Sequence, residues 1–298
     1  MPLVFAVAVL LLVVTAVAVV ASLRLDSPVA FALGVYVVAA SQIVATTELL
    51  SFGRLVGAAG YLVAELVVLA AALWVWHLRG RPRPPALPPF DRGALRRHPL
   101  LAALAAAVAL AVVYQTFLVF ATPPNNDDSM SQHLSRTAAW LQHGGFHWIP
   151  DVHTLRENEW APNGEFGFLY TFAFLGRDTA AAAVQLASEC ALLLAVAGAA
   201  RRLGYSRPAC AFAGLVGATL PQIALQSVTT QVDLLVASFV AVAAYFVRGR
   251  SRAELALAGL ALGLAVGTKA TALLAIVPLA LLAAVSLPPR LYPRAALC

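Results

Sequence analysis

Two adjacent carboxylates, Asp127 and Asp128, stand in the stretch Pro123 to Arg136, PPNNDDSMSQHLSR, with His133 and Arg136 a little further on. A carboxylate placed against a hydroxyl group can take its proton as a general base. The same pair can hold a divalent cation through its oxygens. At the start of a helix, two acids are also favoured simply by the helix dipole. Residue types alone leave these three readings open, and they leave the role of the His133 imidazole open as well. The only lysine of the chain, Lys269, is the other conspicuous group. An ammonium of this kind can hold a phosphate as a point charge.

The elements that must position these groups are apolar. The 298 residues are 61% hydrophobic and 11% charged, with a mean hydropathy of +0.83. Ordinary soluble domains are roughly a quarter charged. Apolar runs of about 20 residues, enough to cross roughly 30 Å of hydrocarbon, recur along the chain. The fold class is therefore all-α, a polytopic transmembrane helix bundle of about eight or nine spans. The net charge of +6 sits almost entirely on arginines in short loops. Positive loops on the cytoplasmic side explain that pattern better than nucleic-acid binding does. Cys190, Cys210 and Cys298 form neither a CxxC nor a His/Cys cluster, so neither zinc nor a disulfide framework is indicated. The first segment lacks a basic leader and a cleavage site and reads as a retained span.

Residues 1–78 form an N-terminal segment of three spans, Leu3 to Ser22, Val29 to Leu50 and Leu55 to Leu78. Residues 79–99 are a proline-rich basic loop with Arg79, Arg81, Arg83, Arg92, Arg96 and Arg97 against Asp91. Residues 100–298 form a membrane core that opens with the span Leu100 to Ala121 and contains a long extracytoplasmic loop, 122–177. In that loop Asp128 to His143 has helical spacing, with Met130, Leu134, Thr137, Ala138 and Leu141 on one stripe and Trp140 at its edge. Asn126 or Asp127 is placed to cap it and Gly144-Gly145 to end it. A tryptophan-bearing amphipathic helix beside a span predicts a juxtamembrane helix in the interface plane. Phe166 to Leu175 is too short to span and reads as re-entrant or interfacial. Further spans follow at 179–200, 208–226 and 234–247. The run 253–287 reads as two segments meeting at Lys269. Arg248, Arg250 and Arg252, and finally Arg290 and Arg294, mark the inside again.

Span parity puts Asp127, Asp128, His133, Arg136, Glu165, Gln231, Asp233 and Lys269 at the outer membrane face. Chance scatter would have split them between the two faces. A carboxylate base and a phosphate-holding cation at one face suit transfer from a lipid phosphate to a hydroxyl acceptor.

The stretch PPNNDDSMSQHLSRTAAWLQHGG resembles the first extracytoplasmic loop of bacterial GT-C glycosyltransferases, most of all membrane proteins allied to the protein-mannosyltransferase group. Asp128, Ser129, His133, Leu134, Arg136 and Trp140 fit that pattern. Ala161 to Glu165, Thr229 to Asp233, and Gly259 to Pro278 with its Thr-Lys pair resemble further family stretches in the same order. Asp127 stands where the family often has tryptophan, and Gln132 where it has tyrosine. The resemblance implies a polyprenyl-phosphate-linked sugar donor, an inverting single displacement, Asp128 as base and Lys269 at the lipid phosphate. Asp127 is the second candidate for the base. His133, Arg136, Glu165, Gln231 and Asp233 are expected to bind substrate. The resemblance also implies an integral protein of a bacterial-type cytoplasmic membrane with its site facing outward. It implies membrane lipid but no nucleic acid as partner. The acceptor is left undefined, and a divalent cation at Asp127 and Asp128 stays open. The family ordinarily continues through further spans, so on this reading the chain is truncated at its C-terminus.

Two other readings stand beside this one. A transporter or lipid flippase would carry charged groups along the depth of the bundle, where this chain has Glu48, Glu65 and Glu189. An inactive, truncated remnant is the third.

Overall fold

The computed structural model describes residues 1–89, 92–152, 155–249 and 251–286. Asp91, Arg250, Arg290, Arg294 and Cys298 lie outside the described residues. Within them the regular structure is helical, with no strand. Three long helices come first: α1 (Pro2–Ser22), α2 (Pro28–Phe52) and α3 (Ala58–Leu78). The short α4 (Arg92–Arg97) precedes α5 (Pro99–Ala121). A π-helical turn, Ser129–His133, leads into α6 (Leu134–His143), and α7 (Arg156–Glu159) and α8 (Asn163–Leu175) complete the long loop. The rest is α9 (Ala183–Arg202), α10 (Arg207–Ala218), α11 (Pro221–Gln226), α12 (Asp233–Val247), α13 (Arg252–Thr268), a 3₁₀ turn (Ala270–Ala275) and α14 (Ile276–Ser286).

Helix ends follow local chemistry. Pro28 occupies the first turn of α2, where its missing N–H costs nothing, and the Ser27 hydroxyl accepts from Ala30 N at 3.4 Å. At α13, Ser251 and Glu254 form a capping box. Gly144 ends α6 with φ of +80°. A Cβ there would meet Arg54 O at 2.7 Å, and one on Gly145 would meet Ser51 Cα at 2.8 Å. Only glycine lets the loop sit this close to the turn between α2 and α3. Val56 N donates to Gly144 O, and Phe146 N to Ser51 Oγ, to hold the contact.

Among the described residues five helices, α1, α2, α3, α5 and α9, are long and apolar enough to cross a membrane. The helix α12 and the run Ala270–Ser286 are apolar but shorter. The expected span 208–226 is instead two helices. Leu220 precedes a proline and is extended at ψ 119°, so the helix breaks there and restarts at Pro221. The run 252–286 divides at Lys269, whose backbone is extended.

A central core joins α2, α9, α12 and α13. Small residues carry the close approaches: Gly198 of α9 faces Tyr245 of α12, and Ala258, Ala261 and Ala265 line α13. Close backbone approach through small residues is how helices associate where lipid offers no hydrophobic contrast. A second core packs α1 and α3 on α6 and α8, around Tyr61, Trp140, Phe166, Tyr170 and Phe174. At thirteen residues, α8 is about 20 Å long. It is buried on nearly every side, including Phe166, Phe168, Leu169 and Phe174. That is the pattern of a helix enclosed by protein on nearly all sides.

The stripe expected on α6 is also enclosed. Trp140 is 1% exposed, packs against the tilted ring of Phe166 and donates from Nε1 to His147 O at 3.1 Å, so α6 lays this face on α8. Met130 falls off the stripe and is exposed. The π turn adds a residue to the helix and rotates everything before it, which brings Ser129 to the buried face in place of Met130. The expected cap is not made by Asn126: its Oδ1 is buried without a partner, while its backbone carbonyl accepts from Met130 N.

Candidate functional site

The polar groups meet around the first turn of α8. Glu165 there is 1% exposed and bonds two side chains, His133 at the end of the π turn and Arg136 of α6. Its Oε1 lies 2.5 Å from His133 Nδ1, and its Oε2 lies 2.5 Å from Arg136 Nη2. Burial alone would push this carboxyl up. The Arg136 guanidinium and the His133 hydrogen bond outweigh that and hold it below the usual glutamate range. Arg136 is itself 2% exposed. Its Nη1 donates to Trp160 O at 3.0 Å and its Nη2 to Ala161 O at 3.0 Å, with the Trp140 ring 4.9 Å from its Cζ. The three side chains thereby clasp the chain entering α8 to α6. Residue spacing explains the reach: His133 and Arg136 are three apart on the helix and share one face.

Asp128 has a different setting. It is half-buried, and its two oxygens accept from two side-chain amides, Gln132 Nε2 at 3.4 Å and Gln231 Nε2 at 3.1 Å. Beside it, the Ser129 hydroxyl accepts from Thr230 N at 3.2 Å. Residues 227–232 form a strap that runs from Ser227 to the start of α12 and is tied to the π turn at these points. At the end of the strap Asp233 pairs with Lys269, Oδ1 to Nζ at 2.5 Å, both partly exposed. Helix α8 closes the group. A Cβ on Gly164 would strike Val232 and approach Thr268, and one on Gly267 would strike Asn163.

His133, Arg136 and Glu165 are thus in one buried cluster. Asp128 with Gln231, and Asp233 with Lys269, form two more solvated pairs along one strap. Asp127 is exposed and joins neither group. Neighbouring residues on a helix point about 100° apart, so Asp127 and Asp128 do not converge on one ion. Among the described residues no three His, Cys, Asp or Glu side chains gather as a metal-binding group. Sequence reasoning missed Gln132 as a partner of Asp128; its position one helical turn later was the available signal.

The site lies at one end of the helices that carry it. In α12, Asp233 is first and Arg248 follows the last residue; in α13, Arg252 is first and Lys269 follows the last. The acids of the depth of the bundle are set apart from it. Glu65 accepts from the Tyr170 hydroxyl, Glu48 is exposed near the end of α2, and Glu189 is buried in α9. An apolar cavity of about 240 Å³ opens beside Asn163 and Gly164 and runs between Phe5, Tyr36, Ile43, Tyr170, Phe239 and Leu264.

Residues 166–287 match the model of glycosyltransferase family 87. The matched segment runs from the first turns of α8 to the end of α14, and so includes Gln231, Asp233 and Lys269. No curated protein and no solved structure matches the chain. The family match and the apolar helices agree on a membrane glycosyltransferase.

Proposed function

We propose that the chain transfers a sugar from a polyprenyl-phosphate donor to a hydroxyl acceptor on the extracytoplasmic face of a bacterial-type cytoplasmic membrane, in a bundle of eight or nine spans, with Asp128 as general base. The observation that carries this reading is the setting of Asp128. Two amides orient its carboxylate, solvent reaches it, and one strap links it to the Asp233–Lys269 pair. A base must be held in place yet remain open to the proton it takes. In the proposed reaction the acceptor oxygen attacks the anomeric carbon as its proton passes to Asp128. The bond from that carbon to the lipid phosphate breaks, the phosphate leaves with the electron pair, and the configuration inverts. Lys269 meets the charge that develops on the departing phosphate. Gln231 and Asp233 set the position of Asp128 and Lys269. His133, Arg136 and Glu165 form a buried polar layer beneath the donor sugar and hold the π turn and α6 under it. The apolar cavity beside Asn163 suits the first part of a hydrocarbon carrier.

The test is transfer in detergent with radiolabelled polyprenyl-phosphate sugars. Asp128→Asn is expected to lose roughly 100-fold or more of the rate, with an unchanged unfolding temperature. Full activity in that variant would move the base to Asp127 and overturn the assignment of Asp128.

A further inference from the structure

The apolar cavity holds few groups able to fix anything but hydrocarbon. Among the described residues four polar side chains line it: Tyr36, Asn163, Tyr170 and Thr171. Three of them are committed. The Tyr36 hydroxyl lies 3.0 Å from Ser188 Oγ and 2.6 Å from Ser238 Oγ. The Tyr170 hydroxyl donates to Glu65, and Thr171 Oγ1 donates to Phe168 O at 2.8 Å. Asn163 differs. Its side chain is half-buried, its polar atoms are not sealed off, and no described residue hydrogen-bonds its carboxamide. That group carries two N–H donors. A few placed polar groups in an otherwise apolar pocket are what orient a ligand there.

Two helices define the level at which the amide stands. Along α13, Leu264 is cavity wall, Gly267 meets Asn163, and Lys269 follows the last residue. A Cβ on Gly267 would come within 2.2 Å of Asn163 Nδ2, so the amide lies against bare helix backbone. Along α12, Asp233 comes first, and Leu235 and Phe239 are cavity wall. Asp233 and Lys269 are bonded to each other. Asn163 therefore stands between the apolar wall and that ion pair. A lipid-linked sugar has the same order, with hydrocarbon first, phosphate next and sugar last. The group that such a donor presents where its hydrocarbon ends is the phosphate. We infer that Asn163 binds this phosphate, its carboxamide donating to a phosphate oxygen on the cavity side while Lys269 meets the group from the other. The inference rests on the lipid-phosphate donor proposed above. A neutral amide suits the position. Its hydrogen bond to an anion is charge-assisted, and it leaves no bare charge at an apolar wall when no lipid is bound.

The experiment measures binding of polyprenyl phosphate, the lipid product of the proposed transfer, and of the matching polyprenol to the purified full chain in detergent. The unmodified chain is expected to prefer the phosphate. Asn163→Ala is expected to weaken phosphate binding about tenfold, the worth of one hydrogen bond to a charged group, and to leave polyprenol binding unchanged. Asn163→Asp is expected to weaken it further by repulsion. An acid in the first turn of α8 is favoured by the helix dipole, so the unfolding temperature of that variant should hold or rise. A residue that only shaped the fold would not lose the phosphate while keeping its stability. Phosphate binding equal in the unmodified chain and both variants would overturn the inference and leave the donor assignment standing. Equal loss of phosphate and polyprenol would do the same, since Asn163 would then act on the shape of the cavity alone. An unmodified chain that does not distinguish the phosphate from the polyprenol would overturn the donor assignment and this inference together.

Discussion

The clasp on α8 and the strap before α12 use the same kinds of side chain to opposite ends. In the clasp, Glu165, His133 and Arg136 are sealed from solvent, and the charges of Arg136 and Glu165 are spent on each other and on backbone carbonyls. Along the strap, Asp128 is held only by neutral amides, and Asp233 and Lys269 remain partly exposed. Buried paired charges are costly to remove singly because the partner is stranded. Solvated charges cost little to keep and stay available to a ligand. The difference separates groups that hold the site from groups able to react in it, although all are polar residues in a chain that has few.

The contrast can be broken or sharpened by substitution. The largest effect is expected at the clasp. Glu165→Ala strands Arg136 and should cost about 3–5 kcal/mol, read as a fall in unfolding temperature in detergent. If that variant kept its unfolding temperature and lost only transfer, the clasp would belong to the chemistry. Lys269→Ala should leave the unfolding temperature within a degree or two. It should weaken binding of polyprenyl phosphate about tenfold or more, the worth of a charge-assisted hydrogen bond. Unchanged binding would sink the phosphate role of Lys269. The smallest effect is a matter of pH. Glu165 has a folded-state value below its ordinary one, so its contribution is present above about pH 4.3 and is lost as pH falls through the lowered folded value. The stability gap between the unmodified chain and Glu165→Gln should narrow on acidification below that point, followed by thermal unfolding. A gap that widened would reverse the sign assigned to Glu165.

Much of the helical frame was legible from residues alone. Pro28, Pro99, the Gly144-Gly145 pair and the arginine clusters mark helix ends that the structure places within a few residues. The division at Lys269 was legible because 253–287 is too long for one comfortable span. The expectation that Asp128, Gln231, Asp233 and Lys269 share one face followed from span parity. Which side chain meets which did not, because pairing depends on rotation about each helix axis. Met130 shows why: a period of 3.6 assigns it to the stripe, and one inserted residue removes it. The break at Leu220 was missed although Pro221 signals it, because the surrounding hydrophobicity reads as one continuous span. The enclosure of α8 was invisible to hydropathy, which treats protein and lipid surroundings alike.

The π turn at Ser129–His133 has a consequence for how such a site can be altered. It works as a phase shifter between two parts that otherwise need not know of each other. After it, α6 keeps a fixed footing on α8; before it, the carboxylate of Asp128 is aimed at Gln231 by the added residue alone. Removing a single residue from this turn would re-aim the acid by about 100° while every contact of Trp140 and Arg136 stayed where it is. The direction of the carboxylate is therefore set by the length of one turn, adjustable in steps of one residue, in a scaffold that does not have to be rebuilt each time.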